Sequence, residues 1–155
     1  MVDETMTAEL SLDSYDRAIL DVVSTNGRIT ITELANRIGL TKTPCQARLR
    51  RLEKQGYILG YRAQLDPEKM GRKHVAFVQV KLTDTRDVAL NAFNAAVLHL
   101  PEIEQCHMIA GGFDYLLKVR TSDIAEYRAV LGERISALPY VANTSTFVAM
   151  ESVRD

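Results

Sequence analysis

The sequence predicts an α+β chain made of two small domains, a helical one first and a sheet-based one second. Three observations predict it. Apolar residues recur at helical spacing as far as Leu52, the period switches to two at His74, and the order beyond reads strand, helix, strand, strand, helix, strand. With 155 residues of which 46% are hydrophobic, the chain can bury a core in each half. Each half is thin by itself, so association with further copies is expected.

Residues 1–11 carry little apolar patterning and are expected to fray. Leu12-Asp13 opens the first helix: Asp13 caps it, Asp16 lies in its first turn, and Tyr15, Ile19, Val22 and Val23 form its stripe until Gly27. Thr30 and Glu33 make a capping box for a short second helix with Leu34, Ala35 and Ile38 facing inward, stopped by Gly39. Thr41 is the cap expected for a third helix, in whose first turn Pro44 is tolerated. Cys45, Leu49 and Leu52 are its buried stripe, and Cys45 is read as a small packed hydrophobe. A short helix, a glycine turn and a longer basic helix make a helix-turn-helix. Residues 57–62 read as a short strand or wing, completing a winged helix-turn-helix over 12–62.

Formal net charge is −1, which argues against indiscriminate polyanion binding. Locally the balance differs. Between Arg37 and Arg62 stand seven basic residues (Arg37, Lys42, Arg48, Arg50, Arg51, Lys54 and Arg62) against the single acid Glu53. That is the electrostatic footprint of duplex DNA. The N-terminus of the third helix offers amides to a phosphate, the hydroxyls of Thr41 and Thr43 add donors, and Lys42 adds charge. Gln46 can read a base edge because its amide both donates and accepts. Arg48, Arg50 and Arg51 cannot share one face; Arg50 is assigned to groove or backbone, Arg48 and Arg51 mainly to phosphates, and Lys54 closes the basic face. The bland alternative is a solvated helix face.

Residues 63–73 are the linker, punctuated by Pro67 and Gly71. Alternation from His74 to Leu82 gives a strand. Val88, Ala89, Ala92, Phe93, Ala96 and Val97 give a helix ending before Pro101. Strands are expected at about 103–109 and 113–120, joined at Gly111-Gly112. Asp123 caps a second helix with Tyr127, Val130, Leu131 and Ile135 as its stripe, and a last strand covers 143–150. The order is the ferredoxin-like βαββαβ arrangement over 74–153, which leaves one sheet face for a partner copy to cover.

The residues show no metal set, no phosphate-cradling glycine motif and no nucleophile with its base, so neither cofactor nor catalysis is expected. Cys45 and Cys106 form no CxxC and point to a reducing compartment, and no leader or membrane-length apolar run is visible, so the cytoplasm is expected. Asp114 beside the glycine turn either caps that turn or pairs with a ligand amine.

From Leu12 to Val153 the chain resembles the leucine-responsive regulatory protein and asparagine-regulator family. The resemblance rests on Leu12-Asp13 with Asp16, Gly27-Arg28-Ile29, Gly39-Leu40, Thr43-Pro44-Cys45 and Arg48 with Arg50-Arg51-Leu52-Glu53. It continues through Gly56-Tyr57-Ile58, Gly60-Tyr61, Glu104 with Cys106-His107, Gly111 and Phe113-Asp114-Tyr115-Leu116-Leu117-Lys118. Tyr127-Arg128, Leu131-Gly132, Leu138-Pro139 and the 144–148 segment complete it.

The resemblance implies a DNA-binding transcription regulator, nucleoid-associated, that forms dimers by packing sheets and octamers from dimers. It also implies an amino-acid effector held between dimers. The effector set would be Met108, Ala110, Gly111, Gly112, Asp114, Tyr115, Thr144 and Thr146 with residues of an adjoining dimer. Thr41-Lys42 stands where close members often carry Ser-Pro, and Gly112 replaces a residue that is often acidic or polar. A second reading keeps the DNA binding and removes the ligand, giving an architectural nucleoid-type protein.

Overall fold

The computed structural model describes residues 12–153, so the expectation for residues 1–11 lies outside the described residues. The chain divides between Gln64 and Leu65 into two compact units.

The first unit holds three helices, α1 (Ser14–Thr25), α2 (Ile31–Ile38) and α3 (Lys42–Lys54). The starts of α1 and α2 follow the capping chemistry in the sequence. Asp13 Oδ1 accepts from the Asp16 amide at 2.8 Å while Asp16 Oδ2 accepts from the Asp13 amide at 3.2 Å. Thr30 and Glu33 make the same reciprocal pair on α2. Gly39 ends α2 at φ 74°, a left-handed position that suits glycine, and the Leu40 amide reaches back to the Ala35 carbonyl. Ile19, Leu34, Ala35, Cys45 and Leu52 are buried at the centre of the three helices. Cys45 is fully buried and burial pushes its thiol up, so it stays protonated and acts as packing.

Of the two expectations for residues 57–62, strand or wing, the strand is not formed: no strand lies between Gln55 and Lys73. A strand needs a neighbour for its backbone groups, none lies among the described residues of this unit, and Gly60 at φ 151° breaks extended geometry. Residues 57–62 instead return along α1. A side chain at Gly27 would place its Cβ 3.0 Å from the Tyr61 ring, so glycine there permits the close approach. The Tyr61 hydroxyl donates to Glu53 Oε1 at 2.8 Å. Partial burial first, and the Glu53 carboxylate second, push the Tyr61 phenol up to about 12 from 10.0. Because the fold favours the neutral phenol, its contribution is complete below pH 10.0 and is lost as pH rises through about 12. The alkaline absorbance difference between the native chain and Tyr61→Phe is expected to have its midpoint near 12; a midpoint at 10.0 would mean that the phenol does not engage Glu53.

The second unit follows the order β1 (His74–Leu82), α4 (Asp87–Val97), β2 (Ile103–Met108), β3 (Tyr115–Thr121), α5 (Ile124–Val130) and β4 (Val141–Val148). The four strands make one antiparallel sheet in the order β2-β3-β1-β4, with β1 and β3 central, as the ferredoxin-like expectation requires. Three edges differ from the alternation pattern. Phe113 and Asp114 belong to the turn before β3, β4 begins earlier at Val141 beyond a register shift at Lys81/Leu82, and a π-helical turn (Leu131–Ile135) prolongs α5.

Alternation along the strands separates two faces. Ala76, Val78, Val80, Leu82, Leu117 and Val119 are buried with Phe93 of α4 and Tyr127 and Val130 of α5. The opposite face presents Phe77 and Phe147, directly paired across β1 and β4 and both exposed. Beside them Glu104 pairs with Arg120 at 2.6 Å and with Lys118 at 3.5 Å. No helix of the described residues is long and apolar enough to cross a membrane.

Candidate DNA interface and effector region

The helix-turn-helix places the predicted residues on distinct faces of α3. With Cys45 and Leu52 buried, Thr43, Arg50 and Lys54 emerge on the opposite, exposed side, and Gln46 lies half-buried at its flank. Lys42, Arg50 and Lys54 make no ion pair among the described residues.

Thr41 occupies the N-cap position but makes no side-chain cap bond, which corrects the expected cap. The reason lies at the third helical position. A capping hydroxyl accepts from the second or third amide of a helix, and here the third residue is Pro44, which has none. The first backbone bond of the helix is Cys45 N to Thr41 O at 3.3 Å. The amides of Lys42 and Thr43 therefore stand at the helix start without intrahelical partners, beside two exposed threonine hydroxyls.

Arg48 and Arg51 are held by carboxylates of their own unit. Arg48 Nη1 donates to Asp13 Oδ2 at 2.6 Å and to Asp16 Oδ1 at 2.9 Å, and its guanidinium carbon lies 5.5 Å from the centre of the Tyr15 ring. Arg51 Nη2 donates to Asp16 Oδ2 at 2.5 Å. Both arginines thus turn toward the start of α1. The Asp16 backbone amide first, and the Arg48 guanidinium second, hold the Asp13 carboxyl below its ordinary value. The sequence signals Asp16 only as a first-turn acid; its two arginine partners lie 32 and 35 residues away and leave no local trace.

The effector residues fall into two groups. Met108, Tyr115 and Thr144 share one row across the sheet, since Met108 pairs with Tyr115, Tyr115 with Val80, and Val80 with Thr144. Buried Tyr115 and Val80 stand between the exposed Met108 and half-buried Thr144, so one chain does not gather the row into a pocket. Ala110, Gly111 and Gly112 are exposed in the turn. Thr146 lies one row further, its hydroxyl 2.5 Å from the Tyr127 hydroxyl.

Asp114 is drawn into the sheet edge. One carboxylate oxygen accepts from the Leu82 amide at 2.7 Å, the other faces Lys81 Nζ at 3.2 Å, and its own amide donates to the Val80 carbonyl at 2.9 Å. Neither partner belongs to the 110–112 turn: the carboxylate ties the start of β3 to β1, and it faces the one amine that Lys81 provides. The sequence reading passed over Lys118 and Arg120 on the open face, although charges alternating with Leu117 and Val119 inside an otherwise apolar strand were the available signal. Among the described residues no cluster of three or more His, Cys, Asp or Glu side chains stands ready to hold a metal.

Known proteins match the whole of this arrangement. Residues 12–58 match a family model described as winged helix-turn-helix DNA-binding, and residues 75–155 match one described as Lrp/AsnC ligand binding domain. A proline dehydrogenase transcriptional activator of Rhizobium radiobacter is 60% identical over 144 residues, covering 93% of this chain and 92% of that protein. The leucine-responsive regulatory protein of Salmonella typhimurium is 45% identical over 154 residues, covering 99% and 94%. In fold, the chain is similar to a transcriptional regulator of Neisseria meningitidis solved as its L-Met complex, with a TM-score of 0.87, 30% identity and 94% of each chain covered.

Proposed function

The chain belongs to the Lrp/AsnC family of transcription regulators, and from that membership we propose that it binds duplex DNA through α3 and tunes amino-acid-use genes in response to a bound amino acid. The observation that carries the DNA part is the uncapped start of α3: two free amides, two threonine hydroxyls and Lys42, continuous with the exposed side that bears Arg50 and Lys54. Helix-start amides and lysine suit phosphates, while Gln46 at the flank suits a base edge. The protein is a regulator and not an enzyme; its output is occupancy of DNA, in the cytoplasm at the nucleoid.

The likeness to proline dehydrogenase activators favours proline-degradation genes as targets. The L-Met complex of the Neisseria meningitidis relative supports an amino acid as the class of effector. Met108, the 110–112 turn and Tyr115 form one part of the proposed site, Thr144 and Thr146 the other. Because Val80 and Tyr115 separate them, an adjoining dimer completes each part.

The open sheet face, with Phe77 and Phe147 exposed, is the proposed dimer surface, and dimers assemble into octamers through the effector regions. Paired α3 helices then enter successive major grooves about 34–36 Å apart. Nuclease footprinting on the DNA upstream of the chain's own gene and its neighbours, with and without each amino acid, tests the whole reading. Spaced protections that shift with one amino acid are expected. Even protection that ignores every amino acid would replace the ligand-controlled regulator with an architectural protein.

A further inference from the structure

Asp16 is a carboxylate with only 1% of its surface exposed, on a short helix of a small domain. Taking a charge out of water is costly unless good partners surround it. Here both oxygens are filled: Oδ1 accepts from Arg48, and Oδ2 accepts from Arg51 and from the Asp13 amide. Arg48 is further held by Asp13 and by the Tyr15 ring, so its side chain is only 28% exposed, while that of Arg51 is 47% exposed. Of the five cations on α3, two are therefore committed to α1 and three (Lys42, Arg50 and Lys54) are left facing outward.

The division matters because phosphate contacts strengthen binding to every sequence alike, whereas base contacts separate sequences. A recognition helix with five free cations would hold every duplex, operator and random alike, more tightly and with a steeper salt dependence. We propose that Asp16 is a positioning residue of the DNA interface, which keeps Arg48 and Arg51 off the DNA phosphates and so sets the sequence-independent part of the affinity and its salt dependence. The proposal rests on the reading of α3 as the DNA-contacting helix.

The test uses the full chain and two duplexes, one operator taken from the footprint and one of random sequence, with affinities measured across a range of salt. Each phosphate contact contributes about 0.9 to the slope of log affinity against log salt. Arg50→Ala should flatten the slope by about that amount per DNA-contacting protomer, while Arg51→Ala should leave it unchanged. Asp16→Asn releases the two guanidiniums. It should steepen the slope on random DNA by up to about 1.8 per protomer and raise random-sequence affinity by roughly fivefold per added contact at about 0.15 M salt. Operator affinity should rise by the same factor, leaving the ratio of operator to random affinity unchanged, whereas simple loss of folding would lower both.

Arg51→Ala flattening the slope as much as Arg50→Ala would overturn the proposal, because Arg51 would then be a phosphate ligand. Should Asp16→Asn fail to fold, the comparison of the two arginine variants still decides. An unchanged slope for Arg50→Ala would instead sink the reading of α3 itself, whatever Arg51 does.

Discussion

A chain carrying Phe147→Asp is expected to fold normally, to lose the sheet-paired dimer and with it the native assembly, and to lose about 10²–10⁴ of its affinity for DNA bearing two half-sites. Folding should survive because Phe147 is already 54% exposed in the single chain and contributes nothing to the core between sheet and helices. Its neighbour Thr146 bonds to Tyr127 of α5, so strand alternation sends Phe147 to the other face, against Phe77 of β1. Two adjacent exposed phenylalanines on an uncovered sheet carry a large share of the burial that a partner face would gain. In a two-fold interface every residue is present twice, so the substitution brings two carboxylates into one desolvated patch. Affinity for paired sites falls because each helix-turn-helix must then bind alone. The control is a single half-site duplex, on which the variant should match the native chain. A variant that still assembles to the native size would show that a surface other than this face makes the dimer, since the effector-region contacts join one dimer to the next.

How much of this was legible in the sequence depends on the range of the interaction. Local chemistry was: the Asp13 cap and the Thr30/Glu33 capping box are hydrogen bonds in the structure, and the alternating strand from His74 to Leu82 is β1 to the residue. Non-local chemistry was not. Arg48 and Arg51 look like phosphate ligands in a basic string, and only packing of α1 on α3 reveals the buried carboxylate that holds them. Residues 57–62 carry the β-branched and aromatic composition of a strand, yet no partner strand lies among the described residues of their own unit. The effector residues were found through resemblance; their alignment in one row is a matter of register, which depends on the shift at Lys81/Leu82 and on pairings between strands far apart in sequence.

Phe93→Ala is the substitution expected to cost the sensing unit most. Phe93 is fully buried at the middle of α4, and its ring centre lies 4.4 Å from that of Tyr115 at a tilt of 37°. Removing a buried phenyl group loses its transfer free energy and leaves a cavity that a sheet on one side and a helix on the other close poorly. Such truncations cost about 3–5 kcal/mol. Against a stability of about 5–15 kcal/mol for an ordinary domain, that is a large fraction, and it lowers the melting temperature by more than about 12 °C. The functional consequence is set by what stands on the far side of the ring. Tyr115 occupies the row that joins Met108 to Thr144, and Asp114 beside it clasps the Leu82 amide. With Phe93 gone, Tyr115 can sink into the cavity and the row loses its fixed spacing. The footprint should therefore stop responding to amino acid at temperatures where the variant remains folded, while α3, in the other unit, keeps its affinity for a single half-site. Calorimetry and the footprint together check this. A loss below about 1 kcal/mol would mean that α4 does not pack on the sheet through Phe93; a full loss of stability with an intact amino-acid response below the melting temperature would separate Tyr115 from the effector site.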